Sequence, residues 1–155
     1  FKYFHKKYNN YKLLIIGSGQ EQKSLKYLTK LNNLSNKIKF IKFENPSKYY
    51  MNSKLFILNS FFEGQPNVLI EALNYKLPII SANCESGPNE ILSNGKFGFL
   101  TSIDNPLLLS KKISYVLDNY ITAKNKSKLG FKSLNRFDIK TQCSKYEKYI
   151  IRFIK

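Results

Sequence analysis

Over roughly the first 100 residues, short wholly apolar runs alternate with stretches whose apolar residues recur every three or four positions. The first pattern marks strands covered on both faces, the second amphipathic helices. Phe1, Tyr3, Phe4 and Tyr8 are spaced to line one side of an opening helix, which Asn9-Asn10 ends. Leu13-Leu14-Ile15-Ile16 predicts a parallel strand covered on both faces, closed by Gly17-Ser18-Gly19. A helix over residues 21–31 follows, with Leu25, Leu28 and Leu31 at helical spacing. Ile38 to Phe43 alternates apolar residues with lysines, as an edge or less buried strand does, and Asn45-Pro46-Ser47 turns the chain into a short helix through Met51. Leu55-Phe56-Ile57-Leu58 predicts the third strand, and Pro66 opens a helix that runs to about Tyr75. Pro78-Ile79-Ile80-Ser81 is the fourth strand, Glu90-Ile91-Leu92 a helical turn and Phe97-Gly98-Phe99-Leu100 the fifth strand. From Asn105-Pro106 onward only helical periodicity remains, interrupted near residues 135–138. Its last stripe, Tyr146, Tyr149, Ile150 and Phe153, reads as core packing. Alternating strands and helices imply right-handed crossovers, hence an α/β fold with a doubly wound parallel sheet and carboxyl-terminal helices.

At 155 residues the chain has the size of one domain with a proper core. No linker or repeat divides it, so residues 1–155 read as a single unit, with a core over about 11–118 and a helical tail over about 119–155. A hydrophobic fraction of 43% excludes a disordered class. The formal charge of +16 invites a polyanion-binding reading, since clustered basic residues collect phosphates. Here the lysines are scattered among Asn, Ile and Tyr along the whole length, which is a compositional bias rather than a patch, and nucleic acid is not an expected partner. A basic face can still assist at an anionic membrane. Cys84 and Cys143 lie far apart, outside any metal or redox motif, and the single His5 reads as a packing residue. No apolar run approaches the ~20 residues that span a bilayer.

Candidate chemistry collects at three corners, each after a buried strand, where ligands bind in such sheets. Gly17-Ser18-Gly19 is part of a dinucleotide-binding fingerprint that lacks its third glycine, and it serves equally as an ordinary turn. The second corner, Glu63-Gly64-Gln65-Pro66-Asn67-Val68, leads into the helix carrying Glu71. Asn67 and Val68 place free amides at the positive end of that helix, suited to a diphosphate. Glu71 follows about 7 to 8 Å along the axis, where a carboxylate accepts from a pair of ribose hydroxyls. Gly64 lets another group approach the backbone. The bland alternatives are a loop carboxylate for Glu63 and a lysine-paired helix side chain for Glu71. The third corner is the polar run Glu85-Ser86-Gly87-Pro88-Asn89-Glu90. Two nearby carboxylates also bring a glycosidase to mind, but the nucleotide-sized crevice argues for a group transferred from a nucleotide.

Taken in order, Gly17-Ser18-Gly19 after Leu-Leu-Ile-Ile, Phe40-Ile41-Lys42-Phe43, the Glu63 to Glu71 motif with Ala72-Leu73, Pro78 to Ser81, Ser86-Gly87-Pro88-Asn89-Glu90-Ile91 and Asn94-Gly95-Lys96-Phe97-Gly98 resemble the glycosyltransferase group 1 family over residues 1–118. The resemblance implies one Rossmann-like half of a GT-B fold, the donor-binding half of a retaining hexosyltransferase. In it Glu71 holds the ribose and Glu63 acts by the transferred sugar, as the catalytic candidate. Gly64, Asn67 and Val68 present backbone to sugar and diphosphate, Gly17 and Gly19 shape the first turn, and Phe43 borders the base. It implies a nucleotide-diphosphate sugar as donor substrate, no metal or other cofactor, and a glycan or lipid-linked acceptor, in cell-surface polysaccharide or lipopolysaccharide synthesis at the cytoplasmic side of a membrane. It also implies that the acceptor-binding amino-terminal domain, and a first strand whose loop brings an Arg and a Lys to the diphosphate, lie outside this sequence. Weak or no transfer by residues 1–155 alone is therefore expected. The alternative is an inactive fragment or split subunit acting as a nucleotide-binding or structural module.

Overall fold

The computed structural model describes residues 1–154. Its elements run α1 (Lys2–His5), β1 (Leu13–Ile16), α2 (Gln22–Leu31), β2 (Ile38–Ile41), α3 (Ser47–Asn52), β3 (Phe56–Leu58), α4 (Asn67–Asn74), β4 (Ile79–Ala82), α5 (Pro88–Ile91), β5 (Phe99–Thr101), α6 (Pro106–Asp118) and α7 (Tyr120–Lys132). A 3₁₀ turn (Leu134–Phe137) then leads to α8 (Ile139–Ile154). The alternation legible in the sequence is the alternation that forms, and every pairing among the described strands is parallel. The strands divide into two groups. β1 pairs with β2 in the register Leu13↔Ile38 to Ile16↔Ile41, and β3, β4 and β5 pair in that order.

The core sits on both faces of β4, whose four residues are all buried. Successive strand side chains point to opposite faces, so Ile79 and Ile80 enter different clusters. Ile79 packs with Tyr50, Leu69, Leu73 and Leu92 below α4, whereas Ile80 packs with Phe4, Ile113, Val116 and Ala123 below α6. Leu69 and Leu73, four apart on α4, are completely buried; each stabilises by about 1.5–3 kcal/mol. Gly130 of α7 lets the helix lie directly on this layer, since a Cβ there would stand 2.5 Å from Leu73 Cδ2 and 2.9 Å from Phe97 Cβ. Asn105 caps α6 by accepting from the Leu108 amide at 2.9 Å, with Pro106 next to it.

Several expectations change. The opening helix ends at His5 instead of reaching Tyr8: Phe4 is buried and stacks on Tyr8, but Tyr3 is 45% exposed. β1 is not covered on both faces, because Leu14 is 37% exposed and its neighbours are half-buried. β2 does lie at an edge but stops at Ile41, leaving Phe43 81% exposed. On α2, Leu25, Leu28 and Leu31 are exposed and Thr29 is the buried residue. Pro66 is the residue before α4 and not its first member. The fifth strand begins at Phe99 rather than Phe97, whose ring is buried in the α4-side cluster. The clearest correction concerns the last stripe: Tyr146, Tyr149, Ile150 and Phe153 are all more than half exposed. Their periodicity is real, but α8 leaves the body at the 3₁₀ turn, where Gln142 Nε2 donates to the Arg136 carbonyl, and its apolar face meets no core.

Candidate functional site

The carboxyl ends of β1 and β3 face a groove of about 880 Å³ between the two strand groups. At its mouth stand Ile16, Phe43, Pro46, Tyr50, Val68 and Glu71. Three of the residues singled out in the sequence, Phe43, Val68 and Glu71, thus converge on one concavity. Gly17 follows Ile16 at the groove's edge, with φ of +127°, a conformation open to glycine but not to residues with a Cβ. Gly19 is exposed, and neither glycine has an atom within 4 Å of where a Cβ would stand.

Glu71 is the fifth residue of α4 and lies about 6 Å along the axis from Asn67. Its carboxylate is exposed, yet it is held: the Tyr50 hydroxyl donates to Oε2 at 3.0 Å. Tyr50 itself is 7% exposed, stacked on Tyr75 with ring centroids 5.3 Å apart and tilted against Phe56 at 5.6 Å. Burial, and then the hydrogen bond to Glu71, push the Tyr50 phenol well above its ordinary range, so it remains a donor throughout physiological pH. A rigid aromatic thus orients the acceptor group of a mobile side chain. Sequence reasoning missed Tyr50, because an aromatic in a short helix carries no motif; the only available signal was its place just ahead of β3.

The start of α4 is built as the spacing implied. Asn67 and Val68 are its first two residues, and amides at these positions have no partner inside the helix. The Leu69 amide is already taken by the Pro66 carbonyl at 3.0 Å. Both Asn67 and Val68 reach solvent. Before them, the Glu63-Gly64 loop is clamped by the third corner: the Ser86 hydroxyl donates to the Glu63 carbonyl at 2.8 Å. Gly87, with φ of +83°, lies so close to this loop that a Cβ would stand 2.1 Å from the Gly64 carbonyl oxygen and 2.6 Å from Pro66 Cδ. The Ser-Gly-Pro run, legible in the sequence only as a polar loop, is what fixes the backbone between the two carboxylates. Glu63 is half-buried, and Gly64 has nothing within 4 Å of a notional Cβ, leaving its outer face open to approach.

Chemically, the corner offers unpaired amides at a helix start, an oriented carboxylate six ångström on and a second carboxylate across an open glycine. That set suits a ligand combining an anion with vicinal hydroxyls. The family model for glycosyl transferases, group 1, matches residues 1–133. The chain is 35% identical to an uncharacterized glycosyltransferase of Haemophilus influenzae over 80% of its own length and 36% of the relative's. It is 32% identical to the N-acetylgalactosamine-N,N'-diacetylbacillosaminyl-diphospho-undecaprenol 4-alpha-N-acetylgalactosaminyltransferase of Campylobacter jejuni, over 87% of this chain and 38% of that one. It therefore spans little more than a third of the length of these relatives. Among solved structures, TarM superposes with a TM-score of 0.85 at 22% identity, covering 95% of this chain and 30% of that one. The carboxyl-terminal domain of the group 1 glycosyltransferase LpcC from Francisella tularensis does so with 0.75 at 21% identity, over 89% and 75%. The chain belongs to the glycosyl transferases group 1 family, and its fold is the Rossmann-like half of a GT-B glycosyltransferase.

Proposed function

We propose that this chain is the donor-binding part of a retaining glycosyltransferase that moves a hexose-type sugar from a nucleotide-diphosphate sugar to a glycan or lipid-linked acceptor. The observation that carries this reading is the convergence on one groove mouth of the α4 amides, the Tyr50-held Glu71 and the exposed ring of Phe43. In this assignment the diphosphate sits against the Asn67 and Val68 amides, where the helix dipole favours negative charge and a metal ion is not required. Glu71 accepts from the two ribose hydroxyls. Phe43 borders the base, with its flat apolar face available for stacking. Gly17 and Gly19 keep the turn after β1 low enough for the nucleotide to pass.

Glu63, beside the open backbone of Gly64, stabilises the transferred sugar while its bond to the diphosphate breaks. The leaving diphosphate assists in taking the acceptor's proton on the same face, so the protein's part is to position and to offset charge. Titles of fold relatives support a nucleotide donor: TarM has been solved with UDP, and the Anabaena protein HepE with UDP and glucose. Names of sequence relatives, among them an amylovoran biosynthesis glycosyltransferase of Erwinia amylovora, support an acceptor of the cell-surface glycan class.

Calorimetric titration with UDP and with GDP tests the reading. One of the two is expected to bind, and Glu71→Ala to weaken it by about tenfold or more, the equivalent of about 1.4 kcal/mol. Absence of binding by either at millimolar concentration would remove the donor-site assignment.

A further inference from the structure

The groove below the candidate site has a shape that the site does not use. Its long walls are two strands: Leu14, Ile15 and Ile16 of β1 on one side, and Leu55, Phe56 and Ile57 along β3 on the other. Each strand has a neighbour on one edge only, β2 for β1 and β4 for β3. The direction of the backbone groups follows from the pairing. Leu13 and Gly17 donate across to Lys37 and Ile41 of the β2 side, and Phe56 donates to Pro78 of the β4 side. Peptide groups along a strand alternate edges, so Leu14 and Ile16 on β1, and Ile57 on β3, turn their N–H and C=O groups into the groove. Two free edges therefore face one another across an apolar slot, and the residues between them are only half-buried or, at Leu14, exposed.

The strand order makes the same point. Read across the molecule, it is β2, β1, the groove, β3, β4, β5. A doubly wound sheet in the order 3-2-1-4-5-6 has one strand between those that correspond to β1 and β3, at the point where the winding reverses. We propose that the groove receives a single extended apolar polypeptide segment from outside residues 1–155, which inserts parallel to β1 and β3 and joins the two strand groups into one six-stranded sheet. Relatives of the chain are nearly three times as long as the part it matches, so polypeptide of this kind is available to the family. β1 is four residues long, so the segment needs about four to six residues, spanning about 13–20 Å. Its chemistry is that of a central strand: β-branched or aliphatic at every position, because both faces become covered, and free of proline. Its carboxyl end emerges at the mouth beside Val68 and Glu71, so the residues after it join the wall of the candidate site.

The test uses a capped hexapeptide of valine and isoleucine flanked by glutamine, with hydrogen exchange followed residue by residue. Insertion is expected to slow exchange of the Leu14, Ile16 and Ile57 amides by at least about tenfold, with the amides of β4 little changed. The same peptide methylated on alternate backbone nitrogens is expected to give no protection. Ile57→Pro is expected to fold, because its lost N–H faces the free edge, and to abolish the effect; should it fail to fold, the methylated peptide carries the same discrimination. The proposal is overturned by unchanged exchange at millimolar peptide, or by equal protection from the methylated peptide. It is equally overturned if these amides are already protected without peptide, whether by closure of the groove or by a second copy of this chain seen in sedimentation.

Discussion

Gly87→Ala isolates the physical coupling between the two loops of the candidate site. The residue has φ of +83° and ψ of −70°, a conformation from which residues bearing a Cβ are almost excluded. Strain of this sort costs about 1–3 kcal/mol. The added methyl would also stand 2.1 Å from the Gly64 carbonyl oxygen and 2.6 Å from Pro66 Cδ, which are backbone and ring atoms that cannot swing aside. Forcing them apart costs a further ~1–3 kcal/mol. Taking about 3 kcal/mol in total and a urea slope of about 2 kcal/mol/M, the unfolding midpoint should drop by about 1.5 M. The displaced segment is the one that carries Glu63 and precedes the α4 amides, so nucleotide affinity should fall as well. Gly64→Ala supplies the contrast. Nothing lies within 4 Å of its Cβ position, so its stability should stay within about 0.5 kcal/mol of the wild type while the methyl obstructs the backbone approach and weakens the sugar nucleotide. Urea unfolding followed by far-UV circular dichroism, with calorimetric titration on the same samples, reads both quantities. An unchanged midpoint for Gly87→Ala would refute the strain argument. A large midpoint shift with intact affinity would show that the clamp does not place the ligand.

Tyr50→Phe keeps the packing and removes the donor to Glu71, so stability should change by about 0.5–1.5 kcal/mol while nucleotide affinity falls several-fold, measurable by the same titration. The phenol also gives a pH signature. Its folded-state value is raised above the ordinary 10.0, so the native state keeps a proton that the unfolded chain gives up. That contribution is fully present below about pH 10 and is lost as pH rises toward the folded-state value; the stability gap between wild type and Tyr50→Phe should therefore narrow above pH 10, which urea titrations at pH 9 and 11 would detect. Gly130→Ala should destabilise by about 1–3 kcal/mol through contact with Leu73 and Phe97, visible as a lower melting temperature with nucleotide affinity unchanged.

Much of this fold was legible because its strands are short apolar runs and its helices have clear periodicity. Ile79-Ile80-Ser81 reads as a buried strand and is one, since burial on both faces leaves no polar residue to alternate. The Glu63 to Glu71 stretch was legible as a turn and helix start because Gly64 and Pro66 punctuate it and because α4 needs Leu69 and Leu73 on one face. What the pattern does not hold is partner identity. The apolar periodicity of α8 matches that of a core helix, but periodicity records only that a helix has an apolar face, not what covers it. Likewise Leu13 to Ile16 has the composition of a strand between two neighbours, while β1 has a neighbour on one edge. Tyr50 and Gly87 escaped for another reason: each acts through a contact more than twenty residues away in sequence, with Glu71 and with Gly64.

The central claim is that Glu71 recognises the ribose of a nucleotide held at the start of α4. It is tested most directly by comparing UDP with its 2′,3′-dideoxy analogue on the wild type and on Glu71→Ala, or the GDP pair if guanine is the preferred base. Hydrogen bonds to a charged group contribute about 1.5–3 kcal/mol, so the wild type should prefer the hydroxylated nucleotide by about tenfold or more, and Glu71→Ala should bind the two equally. The same preference in both proteins would contradict the account.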